Sequence, residues 1–134
     1  MRKLVYIAGP YADGRWDGIV ANCQRAIELG AYAARIGLCP IVPHSMGIAG
    51  VYGDPDEADP ETRERAIACG VRMAGAVAAG GGEFWAIARE DGSLSEGTRD
   101  EQAEYLRLAY HREVVVRTWA EWVAFMAEFP EARS

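Results

Sequence analysis

The segment best suited to chemistry reads Ser95-Glu96-Gly97-Thr98-Arg99-Asp100-Glu101 and follows an apolar run. Gly97 lets the backbone approach a ligand closely. The Ser95 hydroxyl and the free N–H groups of a helix start form a site for an anion. Glu101 comes one helical turn later, so its carboxylate can lie one sugar width from a phosphate or hydroxyl at Ser95. A carboxylate beside an anomeric carbon can attack that carbon or stabilise an oxocarbenium-like state.

The same segment also has a purely structural interpretation. Thr98 and Glu101 have the spacing of a capping box, and a glutamate near a helix start interacts favourably with the helix dipole. Taken alone, the segment favours this interpretation over catalysis. The neighbouring acids Glu96, Asp100 and Glu104 are expected to be solvated charges on the helix surface.

Further candidates for ligand binding follow the first two apolar runs. Gly9, Pro10 and Tyr11 form a loop after the first run, and His44 follows the second. The Tyr11 ring can either stack on a base or shield the core. The His44 side chain can bind a sugar hydroxyl or a phosphate, although a loop histidine without a carboxylate partner is often structural.

Asn22 is the remaining candidate for ligand binding. It comes three residues after Ile19 and four before Ala26, which places it on the buried face of a predicted helix. A buried amide must find hydrogen-bond partners. The favoured interpretation is that Asn22 fixes the loop at residues 9–11, and the alternative is a contact with ligand.

Apolar runs and helical periodicities alternate along the chain. The runs at residues 3–8, 38–42, 84–88 and 113–116 predict buried strands. Helices are expected from Asp17 as the cap to Gly37, from Asp59-Pro60 to about residue 75, from about Gly97 to Ala109, and from the Thr118/Glu121 capping box to Phe129. Residues 43–60 are expected to form a long loop, and the aromatic side chains of the last helix to form core or a subunit contact.

Alternating strands and helices predict parallel β-α-β units. We therefore expect a single α/β domain over residues 1–134, a three-layer sandwich with four or five parallel strands of the flavodoxin-like or Rossmann-like kind. Ligands in such folds bind beyond the carboxyl ends of the strands. That rule selects the loops at residues 9–11, 43–45 and 91–101, which are expected to converge on one pocket.

Composition excludes several function classes. Fourteen basic and twenty acidic side chains give a net charge of −6, which argues against a nucleic-acid partner. The three cysteines lack a C-x-x-C pair and the two histidines lack ligand spacing, so no metal is expected. The first apolar run is too short for a signal peptide or a membrane span, which predicts a cytoplasmic protein with no membrane partner.

Three segments, in order, resemble the nucleoside 2-deoxyribosyltransferase-like superfamily, especially its small bacterial and phage members of unassigned function. The first is Val5-Tyr6-Ile7-Ala8-Gly9-Pro10-Tyr11, and Asn22 lies in the helix that follows it. The second, residues 37–44, is similar to the G-x-x-P-x-x-P-H pattern of that group's second strand. The third is Ser95-x-Gly97-x-x-x-Glu101. The resemblance spans most of residues 4–116.

This resemblance implies an activity. It makes Glu101 the nucleophile that attacks C1′ of a nucleoside or nucleoside 5′-monophosphate, with Ser95 holding a phosphate or sugar oxygen. Water then completes hydrolysis, or a second base completes transfer, without a cofactor or metal. Relatives of this kind are usually homo-oligomers.

The chain departs from the family pattern at one place. The family's aspartate before the third strand would fall in Met73-Ala74-Gly75-Ala76, where there is no acid. This leaves open a non-catalytic nucleotide-binding or nucleotide-sensing module, or a structural subunit of a complex, as alternatives to the enzyme.

Overall fold

A computed structural model describes residues 2–11, 16–44, 60–110 and 112–130. Within these ranges four strands and four helices alternate, and all strand pairs are parallel in the order β2-β1-β3-β4. The elements are β1 Leu4–Ala8, α1 Trp16–Arg35, β2 Cys39–Ile41, α2 Pro60–Ala79, β3 Glu83–Ala88, α3 Glu96–Leu108, β4 Val114–Thr118 and α4 Trp119–Glu128. The predicted parallel α/β sandwich is confirmed. The predicted loop lies outside the described residues from 45 to 59.

Alternation along the buried strands separates two cores. Val5 and Ile7 of β1 face one side of the sheet, where they pack with α1 and α4. Tyr6 and Ala8 face the other side, where they pack with α2 and α3. Both faces are therefore covered, which explains why the strands read as unbroken apolar runs. In the ranges that the structure describes, no helix is both long and apolar enough to cross a membrane.

Helix α1 buries the stripe that its sequence predicts, with Cys23, Ala26 and Leu29 fully inaccessible. Gly37 follows the helix with a φ of 96°, a left-handed conformation that favours glycine. The prediction that Asp17 caps this helix is wrong. Asp17 lies in the first turn, because the helix already begins at Trp16.

Helix α2 is longer than predicted, since it continues to Ala79 instead of ending near residue 75. In the added turn, Val77 and Ala78 pack against the sheet beside Ala74. A helix made largely of alanine and glycine has little contrast between its faces, so its periodicity does not reveal its end. Burial against the sheet stabilises it instead.

The last helix, α4, contributes buried side chains to the core and exposed side chains to the surface. Its capping box is confirmed, with the Thr118 and Glu121 side chains bonded to each other's backbone N–H groups. Trp122 is fully buried, and its Nε1 donates to the Ala86 carbonyl at 2.9 Å. Phe129 is half exposed. The core interpretation therefore holds for Trp122 and not for Phe129.

The turn before β3 supplies a test of this packing. A β-carbon on Gly82 would lie 2.7 Å from the Leu4 carbonyl oxygen and 2.6 Å from Cγ1 of Val77. We expect Gly82→Ala to lower the free energy of unfolding by about 1–3 kcal/mol, because backbone must move. The matched control is Gly80→Ala, whose nearest atom would lie at 3.4 Å. Urea denaturation of both variants checks this, and an equal loss in the two would contradict it.

Candidate functional site

The strand order places a topological switch point between β1 and β3. The chain leaves β1 for β2 on one side and returns through α2 to β3 on the other. In open parallel sheets, ligands bind beyond the carboxyl ends of the strands at such a point. The loops after β1 and β3 carry the sequence-predicted residues to this edge.

Two of the predicted binding residues fix the backbone of the loop after β1. Nε2 of the buried His44 lies 3.2 Å from the Gly9 carbonyl oxygen and 3.1 Å from that of Pro10. Carbonyls only accept hydrogen bonds, so Nε2 carries the proton, and burial lowers the pKa of His44 and keeps the ring neutral. The Asn22 amide donates to the Tyr11 carbonyl oxygen at 3.3 Å. The structural interpretations of both side chains fit these contacts.

Ser95 is the N-cap of α3. Its hydroxyl oxygen accepts a hydrogen bond from the Thr98 backbone at 3.2 Å and lies 2.7 Å from the Thr98 hydroxyl. Thr98 is therefore the third residue of the helix, and the capping-box interpretation of Thr98 and Glu101 is wrong. Glu101 lies in the second turn, where capping no longer explains it.

The Glu101 carboxyl turns inward against α2 and β1. A β-carbon on Gly70 would lie 3.3 Å from its Oε1 and 3.2 Å from the Tyr6 hydroxyl, so both groups sit over the bare backbone of Gly70. Gly97 lies on the other side, where a β-carbon would be 3.9 Å from the same Oε1. Tyr6 hydrogen-bonds to the carboxylate. The carboxyl of the half-buried Glu101 thus lies between a tyrosine hydroxyl and two glycines.

Burial raises the pKa of Glu101 to about 7. The Tyr6 hydrogen bond opposes this rise, because a donated hydrogen bond favours the ionised form, and the charge of Asp100 adds to it. The carboxyl can therefore gain or lose a proton near neutral pH. A strongly shifted group at a ligand-binding edge is a candidate for function.

A cavity of about 470 Å³ opens at the switch point, on the side of α1 and α4. Three of the predicted binding residues line it, namely Gly9, Pro10 and Asn22. Ser95, Gly97 and Glu101 gather on the α2 and α3 side of the same edge. The structure thus brings the predicted residues to one edge of the sheet, in two groups. The Ser45 part of the predicted pocket lies outside the described residues.

Sequence reasoning missed Tyr6 and Gly70. The signals are present in the chain: a tyrosine in an otherwise aliphatic strand brings a hydroxyl that needs a partner, and a glycine inside a helix costs about 1 kcal/mol. The segment at residues 73–76, where the family's aspartate would fall, lies inside α2. There a β-carbon on Gly75 would meet Leu108 and Glu104, away from Glu101.

The described residues include few side chains that could bind a metal ion or act as a thiol nucleophile. Among the described residues, no group of three or more His, Cys, Asp and Glu side chains is placed to hold a metal ion. Cys23 is buried in the core, and burial raises its pKa to about 11. Such a thiol packs as a small apolar side chain and is not a nucleophile at neutral pH.

The buried carboxyl makes the stability of the protein depend on pH. The pKa of Glu101 in the folded state, about 7, lies above the ordinary value of 4.5. The contribution of Glu101 to the free energy of unfolding is therefore most favourable below pH 4.5, and it is lost as the pH rises through 7. We expect Glu101→Gln to be more stable than the wild type above pH 7, by up to about 3 kcal/mol, with little difference near pH 4. Thermal unfolding across this range checks it, and a difference independent of pH would contradict it.

Comparisons with known proteins identify the family of this chain but do not identify an activity. Residues 3–115 match the family model described as Domain of unknown function (DUF7768). No curated protein and no solved structure matches the chain. The match runs from the residue before β1 into β4, so it includes Tyr6, Gly70, Ser95 and Glu101, whereas α4 lies beyond it. The chain belongs to the DUF7768 family.

Proposed function

We propose that this protein cleaves the N-glycosidic bond of a nucleoside or nucleoside 5′-monophosphate, with Glu101 as the nucleophile. The observation that supports this proposal best is the placement of the Glu101 carboxyl. It lies between the Tyr6 hydroxyl and the backbone of two glycines. It does not cap the helix, and among the described residues it forms no ion pair. The resemblance of Ser95-x-Gly97-x-x-x-Glu101 to the deoxyribosyltransferase-like pattern supports the same role.

The reaction runs through a covalent intermediate. The ionised carboxylate attacks C1′, the bond to the base nitrogen breaks, and its electron pair leaves with the base, which takes up a proton. Attack of water on the glycosyl ester releases the sugar and restores the carboxylate, and attack of a second base gives transfer instead. Tyr6 acts as a positioning residue, because its hydrogen bond orients the carboxylate and favours the ionised form.

The start of α3 is the proposed site for a substrate oxygen. The Ser95 hydroxyl already accepts from Thr98, so the backbone N–H groups of Glu96 and Gly97 are the free donors at this helix end by their position. They favour an anionic or hydroxyl oxygen. Ser95 then acts by shaping the helix start as well as through its own hydroxyl. Gly9, Pro10 and Tyr11 form the loop after β1, and Asn22 and His44 hold its backbone in place.

A non-catalytic nucleotide-binding or nucleotide-sensing module is the second candidate. The observation that favours it is the bare backbone at Gly70, where α2 faces Glu101 without contributing an acid. A binding module needs no group for proton transfer. From the resemblance we further propose a homo-oligomer that acts on a small molecule without a cofactor. We also propose a cytoplasmic location.

Glu101→Gln distinguishes the two functions. The amide keeps the shape of the side chain but cannot form the glycosyl ester. We expect release of free base from deoxynucleoside monophosphates to fall by at least roughly a thousandfold, with substrate binding nearly unchanged. The matched control is Glu104→Gln on the same helix, which should keep full turnover. Equal turnover in Glu101→Gln and the wild type would remove Glu101 from the mechanism, and binding without turnover in the wild type would favour the sensor.

The pH dependence of the rate tests the ionisation state of the nucleophile. Because the attacking form is the carboxylate, kcat/KM should rise with pH through about 7, the pKa of Glu101. Tyr6→Phe removes the hydrogen bond that lowers this pKa, so the midpoint should move to higher pH. Base release measured from pH 5 to 9 in both proteins checks this. A rate that falls as the pH rises through 7 would instead assign Glu101 the role of a general acid.

A further inference from the structure

We propose that the cavity at the switch point binds the phosphate group of a small phosphate ester, through Arg25 and Arg89. Arg25 comes from α1, and Arg89 follows β3 directly. Both line the cavity, which lies beyond the carboxyl ends of β1 and β3. This inference does not rest on the Glu101 reaction, because binding at this site needs no turnover.

The two arginines bring two positive charges to the wall of one cavity. The chain has six more acidic than basic side chains, and Lys3, Arg65 and Arg107 each pair with a glutamate. Within the described part of the chain, neither Arg25 nor Arg89 has a carboxylate in ion-pair contact. Arg89 also interacts electrostatically with the Asp91 carboxylate without forming an ion pair. Two guanidinium groups at one cavity favour an anionic ligand.

Among the described residues, few groups accept hydrogen bonds from these two guanidinium groups. Arg89 donates one bond, from Nη1 to the Leu94 carbonyl oxygen at 3.3 Å, which also ties it to the loop before α3. The Arg25 guanidinium lies over the Trp119 ring at 6.0 Å from its centroid. A guanidinium has five N–H donors and can bind phosphate through two of them at once.

The start of α4 adds donors to the same wall. Thr118, Trp119 and Ala120 line the cavity. The capping box uses the N–H groups of Thr118 and Glu121, which leaves those of Trp119 and Ala120 at the positive end of the helix dipole. This helix end strengthens an anion site that the two arginines define.

The lining also limits the ligand. Glu90 is the one carboxylate among the lining residues, so the side chains of the wall carry a net charge of one positive unit, from two arginines and one glutamate. This balance suits a single phosphate group better than a polyphosphate. A volume of about 470 Å³ leaves room for the organic part of an ester, against Ile87 and Trp119.

Calorimetric titration of the full chain tests the site. The protein carries Glu101→Gln so that no substrate turns over, and the probes are inorganic phosphate, a deoxynucleoside 5′-monophosphate and the matching deoxynucleoside. We expect saturable binding of the two phosphate-bearing probes, weakened roughly tenfold or more by Arg25→Gln and by Arg89→Gln. Glu90→Gln should tighten binding. Arg35→Gln is the matched control. Arg35 also lies on α1 and packs over an aromatic ring, that of Tyr32, but it does not line the cavity.

Three results would overturn the proposal. The first is the absence of saturable binding of both phosphate-bearing probes. The second is equal affinity for the deoxynucleoside and its monophosphate. The third is phosphate binding that survives both arginine substitutions but is lost in Ser95→Ala, which would move the phosphate to the start of α3. Failure of the Glu101 reaction, seen as no base release by the wild type, leaves these titrations unaffected, so the two proposals fail separately.

Discussion

The close approach of α2 to α3 is the constraint on which the candidate site depends. A β-carbon on Gly75 would lie 3.1 Å from Cδ1 of Leu108, and one on Gly70 would lie 3.3 Å from Oε1 of Glu101. Because α2 presents bare backbone at both points, the side chains of α3 pack directly on the backbone of α2 there. Glu101 therefore turns toward Tyr6 and the sheet, and burial then raises its pKa to about 7.

A carboxyl in this position works against the stability of the fold. Glu104, one turn further along α3, shows the ordinary arrangement, since it pairs with Arg107, which lowers the pKa of Glu104. Glu101 has the opposite shift and no such partner in an ion pair among the described residues. If Glu101 only supported the fold, a neutral side chain of the same shape would make the protein more stable. Keeping an ionisable group in a place that disfavours its ionised form is characteristic of functional sites.

Features that depend on neighbouring residues could be predicted from the sequence, whereas contacts between distant segments could not. Buried strands alternating with amphipathic helices predict the parallel sandwich, and the Thr118 capping box is visible in four consecutive residues. The end of α2 was not predictable, because alanines and glycines give no apolar stripe. Glu101 could be singled out by its spacing from Ser95, but Tyr6 and Gly70 become its neighbours only when β1, α2 and α3 come together.

The loop after β1 connects the two groups of residues at the carboxyl edge. Its carbonyls are fixed by the neutral His44 ring and by Asn22, while Gly9 and Pro10 line the cavity with Arg25. A β-carbon on Gly9 would lie 3.3 Å from Cβ of Ile87, so this loop packs closely on the end of β3. Residues 9–11 of this loop are therefore held from both sides by groups that do not depend on a ligand. A ligand that uses this edge meets a preformed backbone, and little ordering entropy opposes its binding.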